Sequence, residues 1–199
     1  MTASSEIFVA GRDAVPSAVR LEQGESLRWT IVVPPGVSSS IAVEIDLDGP
    51  GCTVDIAGLY LCKADEKVRI NVLLRHNSGG CESHQLFKGV VGGSAVAEFD
   101  GLIYVKEGAQ RTKAFQESHS ILLSREARAE SRPQLEIYAD DVECSHGATT
   151  GFLDPEQEFY LRSRGVEKDE ARRLQIQAFV APVLQRLPEE LQEEIAAML

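Results

Sequence analysis

Val68, Ile70, Val72 and Leu74 alternate with Arg69, Asn71 and Leu73, which is the two-residue period of a strand with one buried face. The same period recurs upstream in Leu27, Trp29, Ile31 and Val33, and in Ile41, Val43, Ile45 and Leu47. It recurs again in Cys52, Val54 and Ile56, with Leu59 and Leu61 continuing the scheme beyond Gly58. Shorter runs follow at Leu86–Val91, Ala95–Phe99, Leu102–Val105 and Ser120–Leu123. Turn formers divide them: Pro34-Pro35-Gly36, Asp48-Gly49-Pro50-Gly51, Gly79-Gly80, Gly92-Gly93, Asp100-Gly101 and Gly108. Successive strands with no helix between them exclude a βαβ arrangement and leave a sandwich, a barrel or a solenoid. Their spacing is uneven, so the pattern alone does not choose among the three. The segment before Gln23 is mixed and only weakly patterned.

The pattern changes at Asp154. Asp154-Pro155-Glu156-Gln157 sets an N-cap aspartate, a proline at the first helical position and a glutamine three residues after the cap. This predicts a helix to about Ser163, stopped by Gly165, with Arg162 and Arg164 at its electronegative end. A second helix opens with Glu167, Asp169 and Glu170 and carries Ala171, Leu174, Ala178 and Phe179 on one side. Pro182 should kink or end it. Pro188-Glu189-Glu190 starts a third. Leu184, Leu187, Leu191, Ile195 and Met198 fall at helical spacing across that junction, an apolar stripe for the chain's own β-domain or for a partner. The expected division is a β core over residues 1–151 and a helical segment over residues 152–199.

A net charge of -11 disfavours nucleic acid and anionic membrane surfaces, both of which select clustered Lys and Arg. The opening MTASSEIFVAGRDAV lacks a basic stretch followed by an apolar run, so no secretory signal is expected. The uncharged stretch from Trp29 to Val43 is too short and too proline-broken to span a bilayer. Cys52, Cys62, Cys81 and Cys144 form no CxxC pair and read as free thiols in a reducing, cytoplasmic setting. No GxxxxGK[ST] loop is present, so any ATP hydrolysis belongs to a partner.

Soft-ligand chemistry concentrates in Pro133–Gly151. After Pro133, Leu135, Ile137 and Ala139 alternate with polar neighbours, and Asp140 and Asp141 read as a turn. In a second run Val142, Cys144, His146 and Ala148 share one face. Cys144 and His146 then lie about 7 Å apart along the strand, where a thiolate and an imidazole can converge on iron or zinc. Cys144 also reads as a small core residue. Asp140 and Asp141 point to opposite strand faces and so do not make a catalytic pair. His76, Cys81 and His84 match no tight zinc spacing.

From His76 to Val180 the wording resembles the core domain of the SufB/SufD family, scaffold subunits of the SUF iron–sulfur cluster assembly machinery. The resemblance lies in LFKGVV (Leu86–Val91), FDGLIYVKEGAQRT (Phe99–Thr112), LLSREARAESRPQLEIYADDVECSHGATTG (Leu122–Gly151) and FYLRSRGV (Phe159–Val166). The CSHGAT phrase, Cys144–Thr149, is similar to the SufD branch. Gly51–Arg75 follows the family more loosely, and the chain reads as shortened at its front relative to the family.

The resemblance implies a mainly β fold, a right-handed parallel β-helix with a C-terminal α-helical segment. It also implies a non-enzymatic scaffold on which a transient iron–sulfur cluster forms at a dimer interface, with no cofactor permanently bound. The implied partners are the ABC-type ATPase SufC and either SufB or a second copy of the chain. Cys144 and His146 match the family's cluster-assembly positions. Phe159, Leu161, Arg162, Arg164, Gly165 and Leu174 match the region that meets the ATPase. The alternative it leaves is a stabilising adaptor that binds the ATPase and holds no cluster.

Overall fold

The computed structural model describes residues 3–199. The β core is built from β1 (Ala3–Val9), β2 (Ala18–Leu21), β3 (Ser26–Val33), β4 (Ser39–Leu47), β5 (Thr53–Cys62) and β6 (Lys67–His76). It continues through β7 (Glu82–Val91), β8 (Val96–Val105), β9 (Thr112–Leu122), β10 (Arg128–Ile137) and β11 (Val142–Phe152). Odd-numbered strands form one sheet in the order β1-β3-β5-β7-β9-β11, and even-numbered strands form a second in the order β10-β8-β6-β4-β2. Every ladder is parallel. The chain therefore crosses from one sheet to the other after each strand and climbs one rung per circuit, making a β-solenoid of about five turns.

Alternation explains why the two sheets face each other. In β6 the inward residues Val68, Ile70, Val72 and Leu74 are buried, as are Ile41, Val43, Ile45 and Leu47 in β4. Burying such a face against a second sheet is the main return for ordering these strands. The uneven spacing has a local cause in the turns. Ser26 and Thr53, stacked on adjacent rungs, are 27 residues apart, whereas Gln85 and Gln116 are 31 apart. The turns at Gly36, Gly51, Gly80, Gly93 and Gly108 fall where the sequence places them.

Several boundaries differ from the sequence expectation. Asp100-Gly101 is no turn: it lies inside β8, which joins the two runs read as separate strands. A Cβ on Gly101 would sit 2.3 Å from the Gln116 side chain, so this glycine makes room for a side chain crossing the interior. β10 begins at Arg128 and runs through Pro133, a position open to proline because β10 is an edge strand. β9 starts at Thr112, eight residues before the expected run, because its inward positions are largely polar and show no hydropathy alternation. In β5, Leu59 and Leu61 occupy the face opposite Val54 and Ile56, a reversal hidden by burial on both sides. The weakly patterned front contains β1 and β2.

Leu59 and Leu61 are covered by the helical segment, α1 (Pro155–Ser163), α2 (Lys168–Leu184) and α3 (Glu189–Ala196). Asp154 caps α1 by accepting the Glu156 N–H at 2.8 Å, with Pro155 in the first turn and Gly165 at φ 90° beyond the end. The buried face of α2 is Ala171, Gln175, Ile176, Val180 and Val183, so Leu174 lies outside it. α2 continues two residues past Pro182 and ends at Leu184. Ile176, Val180, Val183, Leu187 and Ile195 pack on Val9, Val32, Ala57, Leu59, Leu61 and Val90, joined by Leu184, Leu191 and Met198. The apolar stripe thus belongs to the chain's own core. Arg186 fastens the α2–α3 junction by donating to Asp55 Oδ1 at 2.7 Å and to the Asp55 carbonyl at 3.0 Å. Among the described residues no helix is long and apolar enough to cross a membrane.

Candidate functional site

β11 pairs with β9 on one side and with no described strand on the other, so one row of its backbone groups is open at the end of the β-helix. Its inward residues continue columns that run the length of the interior. One column stacks Leu27, Val54, Ser83, Ala114 and Cys144. The next stacks Trp29, Ile56, Gln85, Gln116 and His146. All members are buried except the last of each, because the stack ends with β11. The structure thus puts Cys144 and His146 on one face, two positions apart, at the mouth of the interior.

The two side chains differ in setting. Cys144 is half-buried at the margin of a small cluster formed by Ile103, Val105, Ala109, Ala114 and Ala139. Burial pushes its thiol up from the ordinary value, and a backbone hydrogen bond at Ala114 opposes this in part. His146 is exposed and makes no hydrogen bond with another described residue. Imidazole and thiolate together suit iron or zinc. A cluster normally takes four protein ligands, and no group of three or more His, Cys, Asp or Glu is gathered for a metal among the described residues. One chain supplies two donors. A two-fold partner placed on this edge would supply two more.

Three large apolar side chains are exposed on this last circuit. Ile137, Tyr138 and Phe152 stand 39%, 60% and 62% exposed at the ends of β10 and β11. Tyr138 packs on Tyr104 with ring centroids 5.5 Å apart. Asp140 and Asp141 lie in the turn between these strands, with Asp141 N–H donating to Gln110 Oε1 at 2.8 Å. His76, Cys81 and His84 do not converge. His76 is buried against Ser83 Oγ at 2.9 Å, whereas His84 stacks on Phe115 outside. On the outer face of β11, Thr149 meets His119 Nδ1 at 2.7 Å and Glu143 pairs with Lys113 at 3.1 Å.

Five residues of the helical set lie together around the end of α1, which buries no residue of its own. Phe159 is 76% exposed, and Arg162, Arg164 and Gly165 are exposed beside it. Leu161 is half-buried, and Leu174 on α2 is 37% exposed. Arg164 lies over the Tyr160 ring at 5.5 Å. A groove of about 410 Å³ runs between Phe159, Arg162, Gly165 and Val166.

Sequence reasoning missed the polar lining behind Cys144 and His146. Gln116 donates its amide N–H to Gln85 Oε1 at 3.0 Å, and Tyr60 shares a hydrogen bond of 2.9 Å with Ser120. Gln116 Oε1, Gln85 Nε2 and Ser118 Oγ are buried without partners. The signal was available as register. Counting back one circuit from Cys144 and His146 reaches Ala114 and Gln116.

The family model described as "SUF system FeS cluster assembly, SufBD core domain" matches residues 13–179. The chain is 41% identical over 152 residues to the iron-sulfur cluster assembly protein SufD of Escherichia coli K12, covering 76% of this chain and 36% of that protein. It is 37% identical over 143 residues to SufD of Bacillus subtilis, covering 72% of this chain and 33% of that one. An iron-sulfur cluster assembly SufBD family protein of Mycobacterium leprae is 30% identical over 205 residues, 98% of this chain and 50% of the relative. The chain thus spans between a third and a half of the length of these relatives.

Proposed function

This chain belongs to the SufBD family of SUF iron–sulfur cluster assembly proteins and is SufD-like, and from that premise we propose that it is a scaffold subunit on which clusters are assembled at an interface between subunits. The observation that carries the reading is the pairing of Cys144 with His146 on the last rung, beside an unpaired strand edge. An isologous contact through that edge would bring two thiols and two imidazoles together around one cluster as cargo. Mixed ligation by partly buried thiols and exposed imidazoles, across a seam that can part, suits a cluster that must be passed on. The second subunit is SufB or another copy of this chain.

The exposed surface around Phe159, Leu161, Arg162, Arg164, Gly165 and Leu174 is the proposed docking site for SufC, the ABC-type ATPase of the system. It is supported by its exposed aromatic and arginine residues, which are enriched in contact surfaces. ATP hydrolysis then resides in the partner, and movement of bound ATPase subunits would strain or open the seam.

Iron and sulfide reconstitution under anaerobic conditions tests the cluster role. Wild type is expected to gain visible absorption that His146→Ala and Cys144→Ala each lose by more than half. Equal cluster content in all three proteins would overturn it. The packing of Cys144 against Ala114 and Ala139 favours a second reading, an adaptor that binds the ATPase and holds no cluster. That adaptor would co-purify with SufC and stay colourless after reconstitution.

A further inference from the structure

We propose that Cys52 and Cys81 are a redox-sensitive pair that closes to a disulfide and staples two successive coils together. Each follows a left-handed glycine at the same corner of its circuit, Gly51 at φ 72° and Gly80 at φ 69°. The two corners are in register. The Glu82 N–H donates to the Cys52 carbonyl at 2.9 Å, and Thr53 stacks on Glu82 one residue further on. Both side chains are buried there, 0% and 1% exposed. They converge on one atom: the Gly49 carbonyl accepts from the Cys52 thiol at 3.1 Å and from the Cys81 thiol at 3.3 Å. In-register positions on neighbouring parallel strands lie about 4.8 Å apart, inside the range of about 4.4–6.8 Å between Cα atoms that a disulfide takes.

The other two cysteines have no thiol on the next rung, since Cys62 stacks on Val91 and Cys144 on Ala114. Burial, joined by the Cys81 thiol beside it, pushes the Cys52 thiol up. The corner therefore disfavours thiolates and any charged metal complex they would make, whereas a disulfide is neutral. A Cβ on Gly51 or Gly80 would meet nothing within 4 Å, so the corner has room to draw the sulfurs together. The oxidant is a peroxide. One sulfur attacks a peroxide oxygen, forming S–O as O–O breaks, and water leaves with the thiol proton. The second sulfur attacks the resulting sulfenic sulfur, forming S–S as S–O breaks, and a second water carries off the other thiol proton. Coils of a solenoid are held only by their neighbours, so this bond fixes the middle of the stack and leaves the last circuit free.

The staple does not depend on the scaffold role and is tested on the full chain without metal. Reduced wild type, Cys52→Ser and Cys81→Ser are treated with hydrogen peroxide while folded, then unfolded and alkylated. Chymotrypsin, which cuts after Tyr60, separates Cys52 from Cys62 before mass spectrometry. Wild type should yield a linked Cys52–Cys81 peptide pair. Its thermal midpoint should rise by about 5 °C or more and return on adding dithiothreitol. The two variants should show neither the link nor the rise. Recovery of both residues as alkylated thiols from peroxide-treated wild type would overturn the proposal. So would a Cys52–Cys62 link in equal yield, because those residues lie at opposite ends of β5. If the variants do not fold, the wild-type peptide map alone decides between these outcomes.

Discussion

His76 and Glu66 show how single ionisable groups are used in this interior. Burial holds the His76 imidazole down to about 4, with its Nε2 against Ser83 and its Nδ1 unpartnered. An unfolded chain would bind a proton near the ordinary histidine value of 6.5, so stability is complete above that pH and falls as pH drops toward 4. The loss attributable to this ring is about 3 kcal/mol. Urea denaturation of wild type and His76→Gln between pH 7 and pH 4 should show the decline in wild type and a flatter limb in the variant. Glu66 works at lower pH. Burial alone would raise its carboxyl, but hydrogen bonds from the backbone of Ala64, Gly36, Glu66 and Lys63 prevail and bring it down to about 2. Its stabilisation is therefore present above about 4.5 and is lost as pH falls through about 2. Because the carboxylate ties the turn after β5 to the turn after β3, Glu66→Gln is expected to destabilise by about 2 kcal/mol at pH 7 in the same denaturation experiment.

Among the elements, the helices and the strands were legible to different degrees, for physical reasons. The start of α1 could be read directly because capping is local: Asp154, Pro155 and Gly165 act within one or two turns of themselves. The orientation of α2 could not, since Leu174 and Ile176 are equally apolar and only the position of β5 and β7 decides which is covered. β6 was plain because one face is wet and one dry. β9 was not, because Thr112, Gln116, Ser118 and Ser120 line the interior with the residue types of a surface. Cys144 and His146 were found as a pair from spacing, while Gln116 behind them needed the ladder. The way α2 and α3 are fastened gives a further expectation. Arg186 is 11% exposed and serves Asp55, whereas Arg12 meets Glu194 in the open. Arg186→Met should cost about 2 kcal/mol by removing its bonds to Asp55 Oδ1 and the Asp55 carbonyl, leaving Arg28 alone on that carboxylate, and Arg12→Ala should cost less, because water screens an exposed pair, both read by thermal or chemical denaturation.

The whole molecule is a stack with two unlike ends. β10 and β11 leave their edges open beside Ile137, Tyr138 and Phe152, a surface that invites a second chain. Tyr138→Lys combined with Phe152→Lys should shift any self-association at this end toward monomer in sedimentation velocity, with the thermal midpoint nearly unchanged. An unaltered oligomer would place the contact elsewhere. The interior grades from Trp29 and Ile56 in the early circuits to Gln85, Gln116 and Ser118 in the late ones. The bracing helices lie over β5 and β7, with no comparable cover on β11. In a solenoid each coil is held only by its neighbours. Such a column peels from its weakest terminus, so under the proposed scaffold role the final coil would loosen to admit or surrender cargo while the earlier coils stay closed beneath it.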